Sequence, residues 1–362
     1  MLQVLAAVFA GALLLTACSN QDEPEVPPGA SAPQPDEPDE PDEPDEQDEP
    51  DEPEEPDDPW PVSPFTGERV EEEVLDRPLL MAKVDNHPRA RPQSALDAAD
   101  IVYEEEVEGG LTRFFVLLHS QMPDALGPVR SARPVDTQLM SGYGPSGFAY
   151  SGARPEVQAM LSGTPTIRVT EGGPGFYRDG SRGAPHNLYV RPADTLMGII
   201  ERGAEALGDV GWVFEDEVPA GAVRCPAAAS DCEQPGRRID IRMSYAYTTG
   251  WEYDRPGGVY RRSQNGQPFL VTGDGRIGAA NVVVLATRHY VGASGYPETD
   301  VTTDDAAAAV LRDGRLYAAR WAKPSATEPL RILTPGGEPF PLKPGPTWLH
   351  LSDAAGLPTF DG

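Results

Sequence analysis

The sequence of 362 residues predicts an α+β fold whose second half is rich in β-strands. Apolar runs that end at turn residues, such as residues 78–84, are typical of buried strands. Helical periodicity is clearest over residues 191–207, and apolar and polar residues alternate strictly from 239 to 247, as in a half-buried strand. This chain length allows two or three domains. We therefore divide the body into a domain at 60–235 and a β-rich domain at 236–362.

A hairpin is predicted over residues 101–118 of the first half. Gly109-Gly110 has the composition of a two-residue turn, which matches the twist of paired antiparallel strands. Counting outward from this turn places Glu106 opposite Arg113. Because side chains alternate between the two faces of a strand, Glu104 would share one face with both of these residues.

A series of short strands is predicted in the second half. They cover residues 281–286, 316–321, 330–333 and 347–351, with glycine-rich turns between them. One helix is also expected there, over the alanine run at 306–309. Asp300, Asp304 and Asp305 precede this run, and aspartate is a favoured helix cap.

The N-terminus has the features of an exported protein that carries lipid. The first seventeen residues contain no charge and are mostly Leu, Ala, Val and Phe, at the lower limit of length for crossing a bilayer. The sequence Leu15-Thr16-Ala17-Cys18 resembles the lipobox of bacterial lipoproteins, in which Cys18 would become the lipid-bearing new N-terminus. A short membrane helix is the alternative. No Lys or Arg precedes the apolar run, so we expect the translation start to lie upstream of Met1.

Residues 19–59 form an acidic segment that we predict to be a disordered tether. They hold nineteen of the 58 acidic residues and no Lys or Arg, in a repeat of Pro, Asp and Glu. Such a segment cannot bury enough apolar surface to offset the entropy of ordering. Proline and like-charge repulsion favour an extended chain with a reach of at most roughly 120 Å. The alternative is an acidic tail that binds a cation or a partner.

Charge and cysteine content limit the partners and the compartment. Outside the acidic segment the chain is only moderately acidic, which argues against nucleic-acid binding, because phosphate binding requires a basic face. With Cys18 assigned to lipid, Cys225 and Cys232 remain as a pair in a segment of proline and small residues. We predict that they form a structural disulfide, in keeping with an oxidising compartment. The alternative, a metal site, lacks a nearby histidine or third cysteine.

Several segments, in order, resemble the YerB-like family of bacterial lipoproteins. The matching segments are Asp85-Asn86-His87-Pro88, residues 99–104, residues 108–114, residues 127–133, Asn281-Val282-Val283, Trp321-Ala322-Lys323 and Gly345-Pro346-Thr347-Trp348. The resemblance runs from about Leu79 to Leu351. It implies a layered sandwich of β-sheets and helices that is attached to the membrane by lipid, and it implies no particular reaction.

Arginines near a predicted helix start at Pro134 form the strongest candidate for ligand binding. The candidate ligand-binding residues are Arg113, Arg130, Ser131, Arg133 and Asn86. Guanidinium groups bind carboxylate or phosphate in a bidentate manner, and free amides at a helix N-terminus favour an anion. The alternative is that the arginines pair with the glutamates of the hairpin in an internal network, because an isolated buried arginine is costly.

A carboxylate pair is the candidate for catalysis. Glu104 with Asp85 or Asp136 would act as general acid and base on a glycan, which requires two carboxylates about 5–10 Å apart. His186 follows Gly183-Ala184-Pro185 in a predicted loop. It would serve as a proton shuttle or, alternatively, as a hydrogen-bonded turn residue.

Other catalytic signatures are absent or lie in the wrong context. Residues 273–278 fit the letters of a dinucleotide-binding fingerprint, but they precede a strand and therefore indicate a turn. The sequence has no Gly-x-Ser-x-Gly or Ser-x-x-Lys motif. Its five histidines are too scattered for metal-ligand spacing. We therefore predict neither a cofactor nor a bound metal.

These observations lead to one hypothesis and one alternative. We expect a lipoprotein at the outer face of the bacterial cytoplasmic membrane, anchored through acylated Cys18. It would act as a binding or scaffolding module for a cell-wall glycan or another anionic envelope ligand. The alternative is an envelope-glycan enzyme that uses the carboxylate pair. An open cleft that holds Asp85, Glu104 and the arginines together would favour the enzyme.

Overall fold

A computed structural model describes residues 60–208, 210–223, 236–273, 275–353 and 357. The predicted signal peptide with Cys18, the acidic segment 19–59 and the pair Cys225 and Cys232 lie outside the described residues. Lipidation, the tether and the disulfide therefore remain predictions. Within the described ranges, no helix is long and apolar enough to cross a membrane.

The described residues are mostly strands, with a few short helices. The strands of the first half are β1 (Leu80–Asp85), β2 (Ile101–Glu106), β3 (Thr112–Leu118), β4 (Gly147–Ala149), β5 (Ile167–Val169), β6 (Phe176–Arg178), β7 (Leu188–Val190) and β8 (Val213–Phe214). Those of the second half are β9 (Arg238–Arg242), β10 (Thr248–Asp254), β11 (Val259–Gln264), β12 (Gln267–Pro268), β13 (Gly278–Ala279), β14 (Asn281–Ala286), β15 (Arg288–Val291), β16 (Pro297–Asp300), β17 (Thr303–Arg312), β18 (Arg315–Lys323), β19 (Arg331–Leu333), β20 (Pro341–Leu342) and β21 (Thr347–Ser352). The helices are α1 (Glu72–Leu75), α2 (Pro134–Met140), α3 (Pro155–Ser162) and α4 (Pro192–Ile200), with short 3-10 turns at Pro88–Ala90, Leu96–Ala98, Glu108–Gly110 and Ser141–Tyr143. The predicted α+β class is confirmed.

Ten strands form one mixed sheet that contains both halves of the chain. Their order is β19-β18-β17-β14-β21-β2-β3-β1-β4-β5. Strand β2 of the first half pairs in parallel with β21 of the second half, with Glu104 opposite His350. Strand β21 also pairs in parallel with β14. The three central strands therefore run in the same direction, and their carboxyl ends meet at one edge of the sheet.

Both faces of this sheet are buried. Helices α2 and α3 contribute apolar side chains such as Leu139 and Leu161 to the core on one face. The second sheet, formed by β9 to β13, covers the other face, where Trp251 and Tyr260 share a core with Phe114 and Trp348 of the large sheet. The result is a layered arrangement of helices, a ten-stranded sheet and a smaller sheet. It agrees with the layered fold that the family resemblance implied.

The predicted register of the hairpin is wrong by one residue. In the structure, Arg113 lies opposite Glu105 rather than Glu106. The connection is longer than two residues, because Gly109 and Gly110 lie in a 3-10 turn and the N–H of Val107 donates to the carbonyl of Leu111. A shift of one residue moves a side chain to the other face of a strand. Glu104 therefore lies on the face opposite Arg113.

Two other predictions of secondary structure are wrong in part. The alanine run at 306–309 is part of strand β17 and not a helix. This strand pairs with β14 on one side and β18 on the other, and these ladders outweigh the helical preference of alanine. The predicted helix at 191–207 ends at Ile200, and Gly203 with a positive φ of 88° follows it.

Candidate functional site

Asp85, the last residue of β1, organises a cluster of charged side chains on the helix-covered face of the sheet. Its carboxylate accepts a hydrogen bond from Nδ1 of His186 at 2.7 Å and lies 3.1 Å from Nε of Arg130. Its other oxygen accepts the backbone N–H of His87 at 3.0 Å. Asp85 is almost completely buried. It therefore fixes an imidazole and a guanidinium group that both approach the surface.

The two histidines of this cluster form a stacked pair. The rings of His87 and His186 are 4.4 Å apart and nearly parallel, with an angle of 17° between their planes. Burial and the neighbouring His186 lower the pKa of His87. His186 thus has the hydrogen-bonded environment that we gave as the alternative to a proton shuttle.

Three arginines converge beside Asp85. Arg113 donates to the carbonyl of Ser131 at 2.8 Å, and Arg133 donates to the same carbonyl at 3.2 Å. Arg133 also forms an ion pair with Glu108. Burial, followed by repulsion from Arg133 and Arg130, lowers the pKa of Arg113 to about 10. The carboxylates of Asp85 and Glu108 and the carbonyl of Ser131 therefore hold three guanidinium groups close together.

The three arginines differ in their exposure to solvent: Arg113 is buried, whereas Arg130 and Arg133 are partly exposed and can contact a ligand. Arg113 is buried, with 8% of its surface exposed, whereas the side chain of Arg130 keeps 23% of its surface exposed and that of Arg133 keeps 13%. Nε of Arg130 is buried and makes no hydrogen bond in the described part of the chain, although Asp85 lies near it. Ser131 contributes its carbonyl to the cluster, and no contact of its hydroxyl is seen among the described residues.

The helix start does not contribute to this site, contrary to our expectation. Helix α2 begins at Pro134, as predicted. However, the carboxylate of Asp136 accepts the N–H of Arg133 at 2.7 Å and so occupies the end of the helix. The same carboxylate accepts a hydrogen bond from Lys83 at 2.7 Å. Asp136 is therefore a helix cap and an ion-pair partner.

Glu104 does not form a carboxylate pair with Asp85 or Asp136, because it lies on the opposite face of the sheet. There Arg262 binds both of its oxygens at 2.9 Å, and hydroxyl groups of Thr112 and Thr249 donate to it at 2.8 and 2.9 Å. Burial alone would raise the pKa of Glu104, but Arg262 and His350 lower it well below the usual range. Glu104 is a fully buried anion and is not accessible to a glycan.

Asn86 belongs to this buried network and not to the arginine cluster. Its amide nitrogen donates to Thr112 at 2.7 Å and to Gln264 at 3.1 Å. Its amide oxygen accepts a hydrogen bond from Arg91 at 3.1 Å. The side chain is completely buried, so it links strands instead of facing a ligand.

Two buried cations were not identified from the sequence. Lys83 lies within the apolar strand β1 and pairs with Glu105 and Asp136. Arg262 lies in β11 between the buried residues Tyr260 and Gln264. A single cation within an otherwise apolar run is the signal that would have indicated Lys83, whereas the adjacent Arg261 and Arg262 of β11 give no such signal.

The described residues show no group of three or more His, Cys, Asp or Glu side chains that is placed to hold a metal ion. The candidate catalytic residues are also divided between two faces. The arrangement that remains on the helix-covered face is a partly exposed cationic cluster, in which Asp85 and Glu108 hold three arginines in place. The guanidinium groups of such a cluster can form hydrogen bonds with the oxygens of an anion.

Two domains of a known family match this chain. Residues 65–205 match the N-terminal domain, and residues 239–349 the C-terminal domain, of the family described as "Protein of unknown function (DUF3048)". The chain belongs to this family, in agreement with the YerB-like motifs of its sequence.

One relative in this family is the "Putative lipoprotein YerB" of Bacillus subtilis (strain 168). It is 29% identical to this chain over 317 residues, which cover 83% of this chain and 89% of the relative. The crystal structure of the YerB protein from Bacillus subtilis is similar to the present structure, with a TM-score of 0.67 at 25% identity. That match covers 83% of this chain and 98% of the crystallised chain.

Proposed function

We propose that this chain is a lipid-anchored binding module of the bacterial cell envelope, and that its arginine cluster holds an anionic ligand. The observation that carries the proposal is the convergence of Arg113, Arg130 and Arg133 at one partly exposed position. Burial, and after it repulsion from Arg133 and Arg130, lowers the pKa of Arg113. An anion that contacts Arg130 and Arg133 would reduce this repulsion.

Anchoring at the membrane is supported by the sequence and by the relative. The segment that ends at Cys18 resembles a lipobox, and the relative carries the word lipoprotein in its name. The acidic segment 19–59 would hold the folded body away from the membrane, because its like charges favour an extended chain. The body would then reach ligands of the envelope from the outer face of the cytoplasmic membrane.

The body acts as one unit in this proposal. The family divides it into two domains, but β2 of the first half and β21 of the second half are hydrogen-bonded neighbours in the same sheet. The arginine cluster is formed by residues of the first half. The second half covers the opposite face of the sheet that supports them.

The ligand would carry anionic oxygens, as in phosphodiester or carboxylate groups of a wall polymer. Planar guanidinium groups bind either kind of oxygen in a bidentate manner. Binding would weaken as salt concentration rises, because Arg130 and Arg133 are partly exposed to solvent and their interactions are screened.

The proposal is tested by sedimentation of the full chain, held in detergent micelles, with purified cell wall. Arg130→Ala combined with Arg133→Ala should reduce the affinity at least about a hundredfold, since each of two lost charge-assisted hydrogen bonds contributes about 1.5–3 kcal/mol. The matched control is Arg238→Ala combined with Arg320→Ala, two exposed arginines in surface ion pairs, which should leave retention unchanged.

Wall from which phosphate polymers have been removed by acid extraction separates the two sources of anionic oxygen. Loss of binding on extraction identifies phosphate, and unchanged binding identifies carboxylate. Equal retention of the wild type, the double variant and the control would contradict the proposal.

A further inference from the structure

A second candidate site lies at the edge of the sheet where the three central parallel strands end. Strand β2 ends at Glu106, and Asp353 directly follows β21. Strand β14 ends at Ala286, and His289 lies three residues further on. In open sheets with parallel strands, ligands bind outside the carboxyl ends of the strands. This edge therefore brings together side chains from both halves of the chain.

A cavity of about 270 Å³ is present at this edge. Its polar lining consists of Glu106, Arg242, Ser244, Tyr245, His289 and Asp353. The volume is close to the lower end of the range of small-molecule sites, about 300 Å³, which suits a single ring and not a long chain. Glu106 lies on the same face as Glu104, so this cavity is separate from the arginine cluster on the other face.

Tyr245 provides an exposed aromatic surface beside this cavity. Its side chain is 75% exposed. The ring lies against Gly110, where an added Cβ would come within 2.5 Å of the ring carbons. The loop that carries it is fixed, because the hydroxyl of Ser244 donates to the carbonyl of Gly110 at 2.5 Å. One side of the ring is therefore held by backbone, and the remainder is open to a ligand.

The lining of the cavity carries charges of both signs, which suits a ligand rich in hydroxyl groups. Glu106 and Asp353 bring negative charge, and Arg242 brings positive charge. Burial and the neighbouring Asp353 raise the pKa of Glu106, and burial lowers the pKa of His289. An anion would meet the carboxylates and a cation would meet Arg242. A ligand rich in hydroxyl groups avoids both conflicts, because it donates to carboxylates and accepts from a guanidinium group.

A buried hydroxyl near this edge, at Ser352, does not line the cavity but lies on the same face of the sheet. Ser352 is 2% exposed, and its hydroxyl has no hydrogen-bond partner in the part of the chain that the structure describes. Ser352 is two residues beyond His350 and Glu106 is two residues beyond Glu104, so both lie on the face that holds the cavity. Buried polar groups normally have a partner.

We propose that this cavity binds one ring of a neutral saccharide. Tyr245 would stack on the face of the sugar, and Glu106, Asp353 and Arg242 would form hydrogen bonds with its hydroxyl groups. The site is independent of the arginine cluster and adds a neutral ligand to the anionic one proposed above. A polymer that carries both sugars and anionic groups would engage the two sites on opposite faces of the sheet.

The test uses the full chain in a zwitterionic detergent that has no sugar headgroup. The probes are the trisaccharide of N-acetylglucosamine and maltotriose, and binding is measured by saturation-transfer NMR and calorimetry. We expect at least one trisaccharide to bind. Tyr245→Ala should weaken binding about tenfold, because it removes the surface on which the sugar stacks, and a tenfold loss corresponds to about 1.4 kcal/mol. Tyr245→Phe keeps the ring and should retain most of the affinity.

Two controls keep the result specific. Tyr296→Ala removes an aromatic side chain that is 42% exposed elsewhere on the surface, and it should leave the affinity for the trisaccharide unchanged. The double variant Arg130→Ala, Arg133→Ala should also bind the trisaccharide normally, which separates this proposal from the anion site. Absence of binding by both trisaccharides, or equal binding by the wild type and Tyr245→Ala, would overturn the inference.

Discussion

Glu104 and Glu105 are consecutive residues of β2, yet their side chains lie on opposite faces of the large sheet and each is held by a different buried cation. Arg262 binds Glu104 on the face covered by the smaller sheet, and Lys83 binds Glu105 on the face covered by helices. All four side chains are almost completely buried. Arg262 of β11 therefore joins the smaller sheet to β2. Lys83 of β1 also pairs with Asp136 of α2, so it links the helix layer to the large sheet.

Removal of Arg262 should strongly destabilise the fold. Arg262→Met should lower the free energy of unfolding by about 3–5 kcal/mol, because it leaves the charge of Glu104 buried without its cation. Methionine keeps much of the contact with Phe269 and Trp348, whose rings lie 4.0 and 5.3 Å from the guanidinium carbon. Urea unfolding of the full chain in detergent measures the change.

Removing both charges provides the control for Arg262. Glu104→Gln combined with Arg262→Met should recover much of the lost stability, because no unpaired charge remains. Arg238→Met, at an exposed position of β9, should change the free energy of unfolding by no more than about 0.5 kcal/mol. A single Arg262→Met variant as stable as the wild type would show that this ion pair is not required.

Lys83→Met should produce a loss of stability that depends on pH. Burial and the neighbouring Asp136 already raise the pKa of Glu105, and loss of Lys83 removes the main opposing charge. A carboxyl group whose pKa is higher in the folded state than in the unfolded state destabilises the fold as pH rises above its unfolded value of about 4.3.

The deficit of Lys83→Met relative to the wild type should therefore be larger at pH 8 than at pH 5. Urea unfolding of both proteins at the two pH values gives this difference directly. An equal deficit at both values would mean that the buried carboxylates do not take up a proton when Lys83 is absent.

His119 should make the wild type less stable in mild acid. Burial lowers the pKa of His119 to about 4, despite its hydrogen bond with the carbonyl of Arg77. The unfolded state, with a pKa of about 6.5, therefore binds a proton that the folded state does not bind between these two values. Stability should fall by about 3 kcal/mol in total as pH decreases from 7 to 4.

His119→Gln can keep a donor toward Arg77 but removes the titration. The unfolding free energy of this variant should decline less steeply between pH 7 and pH 5 than that of the wild type. The unfolding free energy of the variant will still decline somewhat as pH falls, because burial also lowers the pKa of His350. Identical slopes in the two proteins would exclude His119 as the source of the pH dependence.

The turn between β2 and β3 provides a matched pair of glycines. Both Gly109 and Gly110 have positive φ, at 73° and 70°. A side chain at Gly109 would meet nothing within 4 Å, whereas one at Gly110 would collide with the ring of Tyr245. Gly109→Ala should cost about 1–2 kcal/mol from backbone strain alone.

Gly110→Ala should cost more than Gly109→Ala and should also displace Tyr245. Thermal unfolding measures the difference in stability between the two variants. Trisaccharide binding should be weakened by Gly110→Ala and retained by Gly109→Ala. If the two variants behave alike, Tyr245 does not rest against this turn in solution.

Local sequence patterns predict most strands and helices of the fold, but they do not predict how these elements pair with one another. The sequence predicts β1 and β14 because their apolar runs end at turn residues, β2 because it precedes the Gly109-Gly110 turn, and α2 because Pro134 suits a first helical position. The register of the hairpin was wrong because the composition of Gly109-Gly110 does not reveal the length of the loop around it.

The larger differences between the predicted and the observed structure arise from contacts between residues that are distant in the sequence. The alanines of β17 carry no local signal for a strand, and only the neighbouring strands impose that conformation. The cluster of Arg113 and Arg130 was identified from the sequence because guanidinium groups have distinctive chemistry. Its partner Asp85 was assigned to a different role, because pairing across a fold depends on which faces meet.

Strand β21 (Thr347–Ser352) lies at the centre of the large sheet, although it comes after all the other described strands in the chain. It lies between β14 and β2, so each of these two strands has an unpaired edge until residues 347–352 have been synthesised. Exposed strand edges are prone to pair with other chains. A chain that is cut before β21 would therefore keep two unpaired edges in the middle of its sheet, which favours aggregation.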